Sequence, residues 1–255
     1  MKSPFAKVGG NRDASCRLCQ SQAKLCASHV VPEFCYSYDE SGKSRFALAT
    51  LVPAASGAPR MMKVQKGYRE YLLCPQCEQV LCAHEARFSL LWRRVLSQAP
   101  FTVGQAVEVH GADYHSTKML LLSVFWRASV SLLFGQSISL GPYSEKLREI
   151  LLDNRRVRQD QYPLLGVLIL DSLGNPLNGC VTQPVLTRFG HVRAYAMHFG
   201  GCRWTLVMSD HFVPRELQPL QHVVGEDDRL LLVTQHHTED RFLRMMGQRL
   251  RDGDS

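Results

Sequence analysis

The chain lacks a long, uninterrupted apolar run. Its most apolar stretch, Met119 to Phe134, is too short to cross a bilayer and carries Arg127 near its middle, so it reads as a core helix. Met1 to Gly10 has no apolar centre of the kind a secretory signal needs, which points to a reduced, cytoplasmic setting with no membrane partner. Internal repeats and low-complexity tracts are absent as well, which leaves an ordinary globular chain. Acidic residues are in deficit: 30 Lys and Arg against 23 Asp and Glu give a formal net charge of +7. Such a balance favours a polyanionic partner, because clustered Lys and Arg displace counterions from phosphates.

Cysteine, by contrast, is plentiful, at nine residues. In a reduced chain, paired Cys-x-x-Cys reads as a metal site rather than a disulfide framework, and the odd count agrees. The pairs are Cys16-Arg17-Leu18-Cys19 and Cys74-Pro75-Gln76-Cys77. Four thiolates complete a tetrahedral Zn²⁺ site and leave no position for substrate, so this metal builds structure. Cys26, Cys35, Cys82, Cys180 and Cys202 then read as small buried hydrophobes. Chemistry falls to the residues that the knuckles hold together, with His29, Glu78 and Glu85 the first candidates.

Between the knuckles, Leu25 to Val31 reads as a short strand stopped by Pro32, with His29 inside it. Turn-rich pieces at Asp39 to Gly42 and Ala54 to Pro59 separate expected strands at Phe46 to Leu51 and Met62 to Gln65, and Tyr68 to Leu73 is a further strand. A helix follows from Pro75 or Gln76 to about Ser97, because Leu81, Phe88, Leu91, Trp92 and Val95 fall on one stripe. Glu78, Cys82 and Glu85 share a second face of it, and Arg87, Arg93 and Arg94 supply basic charge suited to nucleic acid. Glu78 is open to two readings, metal ligand or favourable charge at the helix start. Glu85 is either a partly buried ligand or a partner for Arg87 or Arg127.

The order of knuckle, strand with histidine, insert, strand, knuckle and helix resembles the HNH endonucleases, the ββα-metal or His-Me finger nucleases, in their four-cysteine variant. The residues carrying the likeness are Cys16, Cys19, His29, Val30, Pro32, Cys74 and Cys77, within the first third of the chain. It is also similar to a bacterial subfamily with Ser-His-(Ile/Val)-(Ile/Val)-Pro and Cys-x-x-Cys-Glu, matched here by Ser28 to Pro32 and Cys74 to Glu78. The resemblance implies that His29 is the general base and that Glu78 holds a catalytic Mg²⁺ or Mn²⁺. Two departures stand out: Ser28 takes the place of an Asp ligand, and the expected middle Asn is missing from Tyr68 to Leu73. Glu85, with His84, is then the candidate replacement ligand.

The expected fold class is α+β: a zinc-braced HNH-like module over 1–98, then an α+β domain over 99–255 that selects substrate or a protein partner. Gln98 to Gly111, with Pro100 and Gly104, is the expected boundary. Beyond it come helices at 113–134 and from about Tyr143 to Asn154, the latter closed by Arg155, Arg156 and Arg158. Strands at Leu164 to Leu170, Gly179 to Leu186, His191 to Phe199 and Trp204 to Met208 form an antiparallel sheet, and a C-terminal helix runs from roughly Thr238 to Leu250. The function expected first is metal-dependent hydrolysis of nucleic-acid phosphodiesters, DNA before RNA. The rival is a catalytically silent zinc module that binds nucleic acid or a protein, as a subunit of a bacterial defence or toxin system.

Overall fold

The computed structural model describes residues 9–36, 46–50, 60–64, 67–134, 137–210, 225–241 and 243–244, with backbone alone for 46–50 and 60–64. The turn pieces expected at 39–42 and 54–59, and the terminal residues 1–8, lie outside the described residues. The fold is mixed α+β. Its first region holds β1 (Asp13–Ser15), β2 (Gln22–Lys24), β3 (Cys26–His29), β4 (Phe46–Thr50), β5 (Arg60–Val64), β6 (Arg69–Leu73) and α1 (Pro75–Leu96). There follow β7 (Ala106–His110), α2 (Tyr114–Val130), α3 (Tyr143–Leu152), β8 (Leu164–Leu170), β9 (Cys180–Val181) and β10 (Val185–Phe189). The last strands are β11 (Val192–Phe199), β12 (Cys202–Val207) and β13 (Arg229–His236).

β3 pairs antiparallel with β6, placing Ser28 opposite Glu70 and His29 opposite Arg69, and α1 starts directly after β6. Pro75 opens that helix, where its missing N–H costs no intrahelical bond. The expected stripe of Leu81, Phe88, Leu91, Trp92 and Val95 is buried. α2 begins behind Asp113, whose carboxylate accepts from the Ser116 amide at 3.1 Å. Apolar residues all round α2 suit a helix enclosed on every side, and Tyr114 and Ser116 to Ala128 are all buried.

Three differences from the expected elements have physical causes. The stretch taken as a boundary contains β7, where buried Val107 and Val109 alternate with exposed neighbours. Its strand period is only five residues long and sits beside Pro100 and Gly104, which read as breakers. The six-stranded sheet, ordered β10-β11-β12-β8-β13-β7, is mixed rather than antiparallel, because β13 lies parallel to β8. Parallel neighbours need a long return, and here β9 to β12 lie between them in the chain. The strand expected at 179–186 is two strands, interrupted at Pro184, which has no ladder donor. Of the expected C-terminal helix, Arg241, Leu243 and Arg244 are helical after a 3₁₀ turn at His237–Glu239, and residues 242 and 245–250 lie outside the described residues.

Both sides of residue 98 contribute to one hydrophobic cluster, which includes Leu18, Val30, Leu72 and Phe88 as well as Phe125, Leu168 and Leu232. Trp92 packs against Trp204 with ring centroids 5.3 Å apart, and its indole N–H donates to the Gly200 carbonyl at 2.8 Å. A Cβ at Gly200 would meet that indole nitrogen at 2.9 Å, and its φ is +62°, so only glycine fits there. On the other side, the β4–β5 hairpin takes β9 as a parallel third strand.

Candidate metal centre and adjoining polar face

The first knuckle is a tight turn between β1 and β2. The Cys16 amide donates to the Ser21 carbonyl at 2.9 Å, while Gln20 takes a left-handed φ of 64° to close the loop. It is tied to β6 by the Arg17 amide, which donates to the Leu72 carbonyl at 2.9 Å. The Cys74 amide donates to Cys16 Sγ at 3.3 Å, which lets backbone dipoles support thiolate charge. Cys74 is also the N-cap of α1, so the positive end of that helix lies beneath the sulfurs.

The ligand atoms of Cys16, Cys19, Cys74 and Cys77 all lie within 4.8 Å of one another. Cys19 and Cys74 place their sulfurs 3.8 Å apart, far beyond a disulfide bond. Tetrahedral coordination at a metal–sulfur distance of about 2.3 Å separates sulfurs by about 3.8 Å. These residues therefore can hold a metal ion, and four thiols in this geometry suit zinc. Burial opposes the Cys19 thiolate, yet hydrogen bonds from the Ser21 amide and hydroxyl, with contacts to Cys16 and Cys77, bring its pKa down to about 6.

Beside the knuckles, one face of α1 looks onto β3 and α2. Ser28 is fully buried and donates its hydroxyl to Glu78 Oε2 at 2.5 Å. Glu78 thus stands in the first turn of α1, where the helix dipole favours its charge, and is bonded to Ser28 rather than left to solvent. Burial raises its pKa, the Ser28 hydrogen bond and the Arg127 charge oppose that rise, and Glu85 adds to it. Cys82, expected to be buried, is exposed instead; partial burial of its thiol, followed by the Glu85 and Glu78 carboxylates, pushes it up to about 11.

Glu85 is the partner of Arg127. Its carboxylate meets the guanidinium at 2.8 Å, with the arginine side chain only 1% exposed. Arg127 also donates to the His29 carbonyl at 2.6 Å and to Ser123 Oγ at 3.2 Å. It therefore neutralises an α1 carboxylate and pins the end of β3 in one step. Trp126 is equally buried, so neither side chain is open to solvent.

The remaining candidates separate. His84 is buried away from Glu78, with Nδ1 at 3.2 Å from Ser116 Oγ and Nε2 at 2.9 Å from Asn154 Oδ1. Among the described residues, no group of three His, Cys, Asp or Glu ligand atoms other than the four cysteines gathers within 4.8 Å. His29, Glu78, Glu85 and His84 are accordingly not drawn into one preassembled cluster. Arg87 pairs with Asp113 at 3.4 Å, and Arg94 donates to the His110 carbonyl, so two of the three α1 arginines tether the helix. Arg93 is exposed.

Sequence reasoning missed Glu70. Buried opposite Ser28, it accepts from Ser131 Oγ at 2.6 Å and from the Leu132 amide at 3.0 Å, which anchors the exit of α2. Its one sequence signal was a lone acid inside an apolar strand. Comparisons with protein-family models, with curated proteins and with solved structures each return no match, so a functional reading has to come from this chain's own residues.

Proposed function

We propose that the chain is a metal-dependent endonuclease of the HNH type, hydrolysing nucleic-acid phosphodiester bonds, with DNA the first substrate to test. One observation carries the reading: Ser28 and Glu78, at the two positions where that family holds its catalytic ion, face each other at 2.5 Å beside His29. They supply two hard oxygen donors. Mg²⁺ and Mn²⁺ bind through few protein ligands and keep waters and phosphate oxygens, so a site completed by substrate fits this pair. An ion bound there would stabilise charge on the scissile phosphate and the leaving oxygen.

His29 takes the proton from the attacking water, a role suited to an imidazole, which exchanges protons near neutral pH. Arg127 holds the His29 backbone in place through its carbonyl. The cysteine knuckles, filled by Zn²⁺, fix β3 against α1. Arg12, Arg17 and Lys24, exposed on and beside the first knuckle, offer cations to the phosphate backbone.

A second reading has its own observation. Arg127 already neutralises Glu85, and Ser28 lacks the charge of an Asp ligand, as in a zinc-braced module that binds nucleic acid without cutting it. Plasmid cleavage by zinc-loaded protein with Mg²⁺ or Mn²⁺ separates the two. The nuclease predicts cutting that falls at least about 100-fold in His29→Ala and in Glu78→Ala. Equal, undetectable cutting by folded wild type and both variants would leave the binding module.

A further inference from the structure

A cavity of about 580 Å³ opens between the 137–143 loop and the β10–β11 hairpin, lined by Ser139, Tyr143, His191, Arg193, Met208 and Ser209 among others. Its volume is in the range of sites that take a small organic ligand or one unit of a chain. Tyr195 ties the 137–143 loop to β11, accepting from the Ser139 amide and donating to the Ser139 carbonyl at 2.7 Å.

The cavity's lining includes Arg193, which has a basic neighbour across the hairpin. Arg188 and Arg193 are directly opposed in the β10–β11 register, and both are exposed. Like charges in that position repel and destabilise the hairpin. Neither has an acidic partner among the described residues. Two arginines after α3 are, by contrast, paired: Arg155 meets Asp153 at 2.6 Å, and Arg158 meets Asp160 at 2.9 Å. Asp210, which follows the lining residue Ser209, is taken by Lys146 at 2.6 Å. The cross-strand pair is therefore left with uncompensated charge beside a concavity holding hydroxyls, an imidazole and an aromatic ring.

We propose that this groove binds a single nucleic-acid strand, with phosphates on Arg188 and Arg193 and a nucleoside against Tyr143 and Met208. A basic groove with an aromatic floor is the general solution for unpaired strands, whose bases are free to leave the stack. The position also connects with the metal-binding region. Tyr143 starts α3, and five residues on, or about 7.5 Å along the helix, Arg148 donates to the Leu18 carbonyl inside the first knuckle at 2.6 Å. The proposal takes its ligand class from the nuclease reading, but it concerns positioning, not cleavage.

The test is fluorescence anisotropy of a labelled single-stranded DNA 12-mer against full-length, zinc-loaded protein without Mg²⁺, so that nothing is cut. Arg188→Glu with Arg193→Glu should weaken binding about tenfold or more and reduce the salt slope by about 1.4. Arg155→Glu with Arg158→Glu, at the compensated positions, should stay within about twofold. Both target arginines are exposed, and a melting curve verifies that the variant is folded. Unchanged affinity in the Arg188/Arg193 variant overturns the groove while leaving cleavage to be judged separately. Groove-dependent binding without cleavage would instead sustain the groove and remove the nuclease. Loss of polyglutamate binding with oligonucleotide affinity intact would assign the groove to an acidic protein and overturn the proposal.

Discussion

Two buried charge clusters, at opposite ends of the chain, are built on different terms. Asp240 is wholly enclosed, and it accepts from His198 Nε2 at 3.2 Å, Arg203 Nη1 at 2.5 Å and the Leu243 amide at 2.9 Å. Burial works against its charge, but His198, Leu243 and Arg203 together hold its carboxyl far below the usual carboxylate range. Such a site is glue. Glu78 is only partly buried, and among the described residues the one hydrogen bond its carboxylate makes is the 2.5 Å contact from Ser28. It keeps acceptor capacity facing a pinned strand, which is how a carboxylate must sit if it is to take a further ligand. The difference lies in unspent hydrogen-bonding capacity rather than in acid count.

The largest expected effect comes from the element that holds the second cluster's frame. Chelating the metal, or substituting Cys74→Ser, should unfold β3, β6 and the start of α1, since structural zinc contributes about 10 kcal/mol of apparent folding free energy. Loss of bound zinc by elemental analysis, together with an early melting transition, would show it. A metal-free protein with an unchanged melt would mean that the cysteines brace nothing.

Next comes the closed cluster. Asp240→Ala leaves Arg203 and buried His198 without their anion, and should cost about 3–5 kcal/mol in urea unfolding. Glu85→Ala, which strands the buried Arg127, belongs with it at a somewhat smaller cost, because the His29 carbonyl and Ser123 remain as acceptors. Glu78→Ala should fall well below both. Equal losses for Glu78 and Asp240 would erase the distinction between glue and site.

A third buried charge sharpens the contrast through pH. Lys118 is 2% exposed, its ammonium held by the Gln161 and Tyr162 carbonyls at 2.7 and 3.0 Å. Burial takes its pKa from 10.5 down to about 7, against weaker support from Asp160 and Glu226. Below pH 7 both folded and unfolded chains hold the proton. Between about 7 and 10.5 only the unfolded chain does, so this group makes stability rise with pH across that window, by an amount on the order of 5 kcal/mol. Urea midpoints at pH 6.5 and 9.5 should differ accordingly, and Lys118→Met should flatten that difference.

Legibility in the sequence followed the range of the interactions. The knuckles were readable because Cys16/Cys19 and Cys74/Cys77 are local spacings, and α1 because its stripe repeats within one element. The Glu85–Arg127 pair was open to anticipation, since an arginine within so apolar a helix must find an anion. β7 and β13 were hidden, as each is recognisable as a strand mainly by lying beside the other. The Asp240 cluster joins residues 42 and 37 positions apart with no shared motif, so nothing short of the sheet's topology could assemble it. The Ser28–Glu78 bond falls between these cases: both residues stand in recognisable motifs, but their contact needs β3 docked on α1.

That bond is also where the smallest stability effect should carry the most information. Ser28→Ala removes one hydrogen bond to a partly buried acid, worth about 1 kcal/mol. Ser28→Asp sets a second carboxylate against Glu78, so in metal-free buffer it should destabilise by a similar or larger amount through like-charge repulsion. Added Mn²⁺ should reverse the loss if the two oxygens form one edge of a cation site, since the ion binds the folded protein alone and raises its melting temperature. Titrating Mn²⁺ against the melts of wild type, Ser28→Ala and Ser28→Asp puts the question without any nucleic acid. A Mn²⁺-dependent rise greatest in Ser28→Asp and least in Ser28→Ala would mark Glu78 as a ligand position. Three identical responses would leave it a structural acid like Asp240, differing only in how much water reaches it.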